Sequence, residues 1–164
     1  MNIMREEKLD SLFAALQLAE EDNLQQEIEG RIWEIWMESG NPQVNQIMKI
    51  GVEQMGQESY KQAINSFSKI IEAAPDYAEG WNKRATAYFL RGDFKASLKD
   101  IEETLAREKR HFGAISGRLS IQSLIGDNKG SLESLRKLHE LLPHEEQLEK
   151  EIQKLEEKLG IRKI

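Results

Sequence analysis

The chain has 164 residues, of which 39% are hydrophobic and 32% are charged, and its formal net charge is −6. This length suits one compact domain or one short helical array, and the acidic balance argues against nucleic acid as a partner. The chain contains no cysteine, which excludes disulfides, thiolate chemistry and cysteine-bound zinc.

The first ten residues carry Arg5, Glu6, Glu7 and Lys8 and lack the apolar core of a signal peptide. No run of residues approaches the roughly 18 apolar residues of a membrane span. We therefore expect a soluble cytoplasmic protein that does not bind a membrane, with export left open if the sequence was trimmed at its start.

The N-terminal segment is expected to form two helices. Leu9, Leu12, Phe13 and Leu16 fall at helical spacing, which predicts an amphipathic helix over residues 5–19. A second helix should begin near Asp22, run to about residue 38, and stop at Ser39-Gly40. Its apolar residues cover more than one face, so we expect it to be buried on two sides. Asn41-Pro42 then reads as the N-cap and first turn of a third helix.

The central part of the chain repeats. Gly92 and Gly126 lie 34 residues apart, as do Ser97 and Ser131, and Pro75 and Pro143 lie at twice that interval. A period of this length is typical of helical repeats, in which each unit buries its apolar face against its neighbours. The sequence predicts an all-α, right-handed helical-repeat solenoid of about nine helices.

The predicted organisation has three parts. Residues 1–43 form a divergent N-terminal helical pair that caps the array. Residues 44–145 hold three helix pairs, and residues 146–164 form a C-terminal capping helix. The three units are residues 44–77, 78–111 and 112–145.

The turns and the contacts within each unit follow from small residues. Gly92 and Gly126 can adopt the left-handed conformation that ends a helix, and the aspartates that follow them can cap the next helix. Ser59 is expected to be the cap in the first unit. Two pairs of small residues should let the paired helices approach closely, namely Gly51 with Ala63 and Ala85 with Ser97.

The last helix carries a stripe formed by Leu148, Ile152, Leu155 and Leu159. One apolar and one polar face are what an end cap of a repeat array needs. The same spacing also resembles two short heptads, so a self-association seam is the alternative interpretation.

With this register, the chain resembles the tetratricopeptide-repeat (TPR) family, in particular bacterial, alphaproteobacterial-type members of unassigned partner. The resemblance is carried by residues 78–88, by Arg91-Gly92-Asp93-Phe94, and in the preceding unit by Gly51, Tyr60, Ala63, Phe67 and Pro75. It covers about residues 44–145. The chain departs from the pattern at Lys109, where the family usually has proline, at Gln54 and Gln122, which replace tyrosine, and at Leu119, which replaces a small residue.

The resemblance implies that the first helices of the units line a concave groove that binds a peptide or a helix of a partner. The implied groove residues are Asn45, Met48, Val52, Met55, Glu79, Asn82, Thr86, Phe89, Gly113, Ser116, Ser120 and Ser123. Family members that grip a C-terminal carboxylate use polar and basic residues at the positions of Met48, Val52, Lys83, Gly113 and Gly117. Four of these five are apolar or glycine here, which argues against such a clamp.

Catalytic chemistry finds little support in the sequence. His111, His139 and His144 fall at unit ends or turns, where we expect exposed residues near helix C-termini rather than zinc ligands. The acidic residues are expected on polar helix faces with nothing to raise their pKa. Trp33, Trp36 and Trp81 are expected in the core, as are Tyr60, Tyr77 and Tyr88.

These observations predict a non-catalytic protein-interaction module without cofactor or metal. Its partner would be another protein, as a peptide or amphipathic helix that docks near Met55 and Phe89. The alternative is a structural self-association unit, either through the last helix or because acidic residues 1–44 meet basic residues 83–118. Across the two interpretations, we expect the chain to be a monomer or a weak homo-oligomer. Neither the partner nor its peptide motif can be read from the sequence.

Overall fold

The computed structural model describes residues 3–161. Within that range the chain forms nine helices and no strand. The helices are α1 (Ile3–Leu18), α2 (Asp22–Met37), α3 (Pro42–Gly56), α4 (Tyr60–Ala73), α5 (Ala78–Leu90), α6 (Phe94–Arg107), α7 (Phe112–Leu124), α8 (Asn128–Leu141) and α9 (Glu146–Lys158). The prediction of an all-α helical-repeat fold is confirmed.

The contacts of the backbone divide the chain into two compact units. Unit A is Trp36–Ile121, which contains α3 to α6 and most of α7. Unit B consists of the described parts of Met1–Ile35 and Gln122–Ile164. These units do not coincide with the 34-residue boundaries, so the division into three helix pairs with two caps stays a prediction.

The core of unit A begins at a well-formed helix start. Asn41 accepts hydrogen bonds from the backbone of Gln43 and Val44, and Pro42 occupies the first turn of α3, as predicted. Val44 is 1% exposed and packs with Phe67 in the α3–α4 core. The cap thus fixes where α3 begins, and the apolar stripe fixes which face it buries.

The helices of unit A approach one another through small residues. A Cβ added to Gly51 would run into the ring of Phe67, and one added to Gly80 would lie 2.8 Å from Cγ2 of Ile70. Ser97 donates its hydroxyl to the carbonyl of Ala85 at 2.8 Å. Any larger residue at the two glycines would force the core apart.

The predicted turn chemistry holds in two of three places. Gly92 and Gly126 have φ values of 84° and 76°, and Asp93 and Asp127 cap the helices that follow them. Ser59 is the N-cap of α4, but its side chain makes no capping hydrogen bond. The prediction that Ser59 is the cap is therefore confirmed for its position, while its hydroxyl takes no part in the capping.

Unit B joins the two ends of the chain. Gln17 on α1 donates from Nε2 to the carbonyls of Glu140 and Leu141 on α8, at 3.0 and 3.1 Å. Helix α9 packs against α8, with Leu148 buried and Arg136 paired with Glu156 at 2.9 Å. Across residues 3–161, no helix is both long enough and apolar enough to span a bilayer.

The aromatic residues divide between core and surface. Trp36 and Tyr77 are buried, with exposed fractions of 3% and 8%, as expected. Trp33, Trp81, Tyr60 and Tyr88 are half-buried. The ring of Trp81 lies 5.3 Å from the guanidinium of Arg84 and 4.6 Å from that of Arg107, so it serves as a platform for two cations as well as packing.

Candidate functional site

A small cleft opens between α5 and α7 in unit A. Its volume is about 100 Å³. Five of the residues predicted for the groove line it, namely Asn82, Thr86, Phe89, Gly113 and Ser120. Gly117 lies one turn after Gly113 on the α7 wall, and Ala85, Ser97, Ile101 and Ala114 complete the lining. The structure therefore brings together the groove residues of two successive units.

Other predicted groove residues are placed differently. The side chains of Met48 and Glu79 are buried, at 3% and 1% exposure, so the expectation that they face a partner does not hold. Met48 belongs to the α3–α4 core, because the helices meet so closely at Gly51. Asn45 is half-buried, and its side chain bonds to Ser39 and Glu38 ahead of α3.

The remaining predicted residues lie outside the lining of this cleft. Val52 is 39% exposed, and Met55 is half-buried against the α3–α4 core. Ser116 and Ser123 are exposed on α7. These four stay predictions for a wider contact surface.

His111 is a buried residue beside the cleft whose position the sequence did not indicate. It was expected to be an exposed residue near a helix C-terminus, but it is 0% exposed and stands directly before α7. Its Nδ1 accepts the backbone N–H of Ala114 at 3.1 Å, so the imidazole acts as the N-cap of α7. Since Nδ1 is an acceptor, the proton of the neutral ring lies on Nε2.

That proton is directed at a buried carboxylate. Nε2 of His111 lies 2.7 Å from Oε2 of Glu79. The other oxygen, Oε1, accepts from Nδ2 of Asn82 at 3.0 Å and lies 3.4 Å from Nζ of Lys83. The carboxylate thus has partners on both oxygens, which is the condition for tolerating a buried charge.

The ionisation of Glu79 follows from these partners. Burial acts to raise the pKa of Glu79, but the hydrogen bond from His111, the charge of Lys83 and the amide of Asn82 together lower that pKa below its usual value. Glu79 is therefore a carboxylate at neutral pH. The expectation that acidic residues lie on polar faces fails here because Glu79 begins α5 against the preceding helices.

An aromatic wall closes this cluster. The Trp36 ring stacks on the imidazole of His111, with centroids 4.2 Å apart and an interplanar angle of 12°. Phe112 lies 4.9 Å from the Trp36 ring. The cluster of Trp36, Glu79, Asn82 and His111 fixes the first turns of α5 and α7, from which both walls of the cleft extend.

A sequence signal for this cluster existed. Glu79 and His111 are 32 residues apart, near the ends of one 34-residue unit. The start of one unit lies beside the start of the next in a repeat array, so the register places the two residues close together. Nothing in the repeat pattern, however, indicates that Trp36 would cover them.

A second charged group lies on another side of α5. Arg84 donates from Nε and Nη2 to the two carboxylate oxygens of Asp100, at 2.7 and 2.8 Å. Its third nitrogen, Nη1, donates to the hydroxyl of Ser68 at 3.1 Å. This bidentate pair ties α5 to α6. Among residues 3–161 no group of three or more His, Asp or Glu side chains is placed to hold a metal ion.

Two carboxylates in unit B have raised pKa values. Burial raises the pKa of Glu29, and the charge of Glu145 adds to it. Burial also raises the pKa of Glu145, with a contribution from Glu151. The expectation that nothing raises a carboxylate pKa is wrong at these two positions, because the ends of the chain bring their acidic residues together.

Relatives of the chain bear TPR names. No protein-family model matches the sequence. A TPR repeat-containing protein of Rhizobium etli is 31% identical over 154 residues, which span 94% of this chain and 76% of that protein. A tetratricopeptide repeat protein 36 homolog of Nematostella vectensis is 33% identical over 64 residues, or 39% of this chain and 35% of that protein.

Solved structures share the fold. The first TPR of Spaghetti (RPAP3), solved with the HSP90 peptide SRMEEVD, superposes with a TM-score of 0.64 at 21% identity, covering 71% of this chain and 93% of that one. The Sgt2 TPR domain of Aspergillus fumigatus gives 0.64 at 20% identity, covering 73% and 81%. With the repeat spacing, the capped turns and the R. etli relative taken together, the chain belongs to the tetratricopeptide-repeat family.

Proposed function

We propose that this chain is a non-catalytic protein-interaction module whose α5–α7 cleft receives an anchor side chain of a partner protein. The observation that carries the proposal is the cleft itself, which gathers Asn82, Thr86, Phe89 and Ser120 from the predicted groove. The partner segment would be an extended peptide or one face of an amphipathic helix.

The size of the cleft supports this kind of ligand. Its volume of about 100 Å³ is well below the roughly 300–1,000 Å³ of typical small-molecule sites. One aliphatic side chain is the ligand that such a volume fits. Burial of one such side chain contributes about 1.5–3 kcal/mol, which is enough to anchor a segment that makes other contacts outside the cleft.

A solved structure of the same fold gives a precedent for peptide binding, but not for the identity of the partner. The first TPR of Spaghetti was solved with a peptide bound, which shows that this fold can hold a peptide. The HSP90 peptide SRMEEVD ends in an aspartate. This chain has glycine at positions 113 and 117, where family members that grip a C-terminal carboxylate use polar and basic residues. We therefore carry over the mode of binding and not the partner.

The test is to fill the cleft without disturbing the buried cluster. A Cβ at Gly117 would lie 3.5 Å from Cδ1 of Ile101, an ordinary contact, so Gly117→Leu should fold and place its branched end in the cleft. Gly30→Leu is the matched control, since nothing lies within 4 Å of a Cβ added at that helical position. Peptides selected from a random display library on the wild type would be measured against both variants.

We expect Gly117→Leu to weaken the selected peptides by about 10- to 100-fold, the equivalent of one buried side chain. Gly30→Leu should bind them like the wild type. Equal affinity of all three proteins, with helical content unchanged, would show that the cleft is not the binding site.

A second candidate function, self-association, is favoured by one surface of unit B. A cleft of about 480 Å³ between α1 and α2 is lined by Met4, Leu12 and Ile35, with two acidic and two basic side chains around them. Because the lining has equal numbers of acidic and basic side chains, the same surface of a second molecule could pair with it in a two-fold symmetric dimer. Light scattering behind a sizing column would test this: a monomer at tens of micromolar for both the wild type and Met4→Asp would exclude it.

A further inference from the structure

The three hydroxyls on the lining of the α5–α7 cleft share one property: their hydrogen-bond donors are already used inside the protein. Each of these hydroxyls donates to a main-chain carbonyl within unit A. The bonds run from Thr86 to Asn82 at 3.0 Å, from Ser97 to Ala85 at 2.8 Å, and from Ser120 to Ser116 at 3.0 Å. A hydroxyl has one hydrogen and two lone pairs, so each is left with acceptor capacity only.

Asn82 is oriented by the buried cluster. Its Nδ2 donates to Oε1 of Glu79 at 3.0 Å. Glu79 is ionised and has no proton to give, so the amide nitrogen of Asn82, not its oxygen, must face it. The Oδ1 atom of Asn82 accepts no hydrogen bond from the part of the chain that the structure describes. At the cleft wall this atom is an open acceptor, and the second N–H of Nδ2 is the one side-chain donor that Asn82 keeps.

Glu79 cannot release the amide easily. It is held in place by His111, whose other ring nitrogen caps α7. The orientation of Asn82 is thus set by residues that do not themselves line the cleft. Glu79 and His111 act as positioning residues for the polarity of the site.

We propose that the α5–α7 cleft selects a ligand segment that presents hydrogen-bond donors beside a short aliphatic side chain, and disfavours carboxylates. Main-chain N–H groups of an extended peptide meet this description. A carboxylate has acceptors only: the three hydroxyls offer it no donor, and one N–H of Asn82 is all that the lining side chains give it in return for its lost water. This inference rests on the proposed function, because it concerns the chemistry of the same cleft.

The apolar part of the lining sets the other requirement. Phe89, Ala85 and Ile101 supply apolar surface, and the two glycines of α7 leave the space open. An isobutyl group is a suitable occupant for about 100 Å³. Two small probes therefore isolate the polar preference, because both carry that group: N-(2-methylpropyl)acetamide offers an N–H donor, and 3-methylbutanoate offers a carboxylate.

Both probes would be titrated into the full-length ¹⁵N-labelled protein, with binding followed by the amide signals of Ala85, Gly113 and Gly117. Fragments of this size bind in the millimolar range or more weakly. We expect the amide to bind about tenfold more tightly than the carboxylate, since its one N–H gains a hydrogen bond in the cleft while the carboxylate loses water without an equivalent partner.

The variant Thr86→Val, Ser120→Ala tests the cause. Both residues are exposed on their helices and lie outside the buried cluster, so the fold should be kept. The variant loses two acceptors, and its affinity for the acetamide should fall about tenfold while that for 3-methylbutanoate does not fall. Ser123→Ala, an exposed serine on α7 outside the cleft lining, is the matched control.

The outcomes separate the two proposals. If neither probe shifts the three amide signals, the cleft accepts no aliphatic anchor, and the proposed function fails with this inference. If both probes bind equally well, the anchor site stands and the acceptor-only assignment is overturned. Tighter binding of the carboxylate would also overturn it and would indicate that the first-turn amide of Gly113 controls the site.

Discussion

The buried carboxylate of Glu79 offers the sharpest quantitative prediction. Glu79→Ala removes the partner of His111 and of Asn82 while leaving their polar groups enclosed. Leaving the two buried N–H donors of His111 and Asn82 without an acceptor costs about 1–3 kcal/mol each, or about 2–6 kcal/mol together. In a chain of this length each kcal/mol lowers Tm by about 2–4 °C, so Tm should fall by roughly 4–24 °C.

The assay is chemical denaturation, supported by calorimetry. Glu103→Ala is the matched control, because Glu103 pairs with Arg107 at 2.7 Å across one helical turn but is 39% exposed. Such a pair contributes about 0–1 kcal/mol. If Glu79→Ala costs no more than Glu103→Ala, the reasoning about the buried cluster is refuted.

The pH dependence follows from the same group. The pKa of Glu79 is lowered in the folded protein, so the folded state binds fewer protons than the unfolded state just below the usual glutamate pKa. Its contribution is present above about pH 4.5 and is lost as the pH falls through the folded-state pKa. Glu79→Gln keeps the shape and should cost about 1–2 kcal/mol at pH 7, because a charged hydrogen bond becomes a neutral one.

The difference in unfolding free energy between the wild type and Glu79→Gln should therefore shrink as the pH falls below about 4.5 and through the lowered pKa of Glu79. A difference that stays constant over that range would show that the ionised form is not what stabilises the cluster.

Three further predictions concern single contacts. Gly80→Ala should destabilise the protein by about 1–3 kcal/mol in denaturation, because its Cβ would meet Ile70 at 2.8 Å; an unchanged midpoint would contradict the close approach. Arg84→Lys should cost about 1–2 kcal/mol, since lysine cannot make the bidentate contact with Asp100, and a neutral result would count against that contact. Burial and a neighbouring carboxylate raise the pKa of Glu29, so Glu29→Gln should stabilise the fold at pH 7 by some tenths of a kcal/mol. That gain should vanish near pH 4, and an equal gain at both pH values would contradict it.

The sequence predicted most of the fold because the fold is specified locally. The glycine at position 92 requires a left-handed backbone, the aspartate after it caps a helix, and the same pair recurs at residues 126 and 127. Asn41 and Pro42 define a helix start in the same way. Such signals depend on neighbours in the chain and can be read without knowing what packs where.

The site was predicted less well because burial depends on residues outside the repeat. The register placed Glu79 on a groove surface, as the family resemblance implies, but the ring of Trp36 and the imidazole of His111 stack together beside its carboxylate. Trp36 lies outside the three units, and the position of His111 is occupied by Tyr77 in the first unit and Glu145 in the third, so the repeat pattern does not mark a histidine there. Thr86, Phe89 and Ser120, which the register places on one face, line a common cleft, since their placement depends only on the period. That this cleft binds the partner stays a prediction.

Two departures from the family pattern each involve a second position, 12 residues later in the chain. Gln54 and Gln122 stand where the family usually has tyrosine, and each accepts a hydrogen bond at 2.7 Å from a serine 12 residues later, Ser66 and Ser134. The middle unit keeps Tyr88 at this position and has the buried Asp100 at the position 12 residues on.

In that unit Arg84 completes the arrangement, with its guanidinium bonded to Asp100 and 5.8 Å from the ring of Tyr88. A glutamine–serine pair is neutral and closes on itself, whereas a tyrosine–aspartate pair needs a cation between the helices. The tyrosine, the aspartate and the arginine therefore have to change together. A substitution of Tyr88 by glutamine alone would leave the charge of Asp100 dependent on Arg84, and only a matching serine at position 100 would make that arginine dispensable.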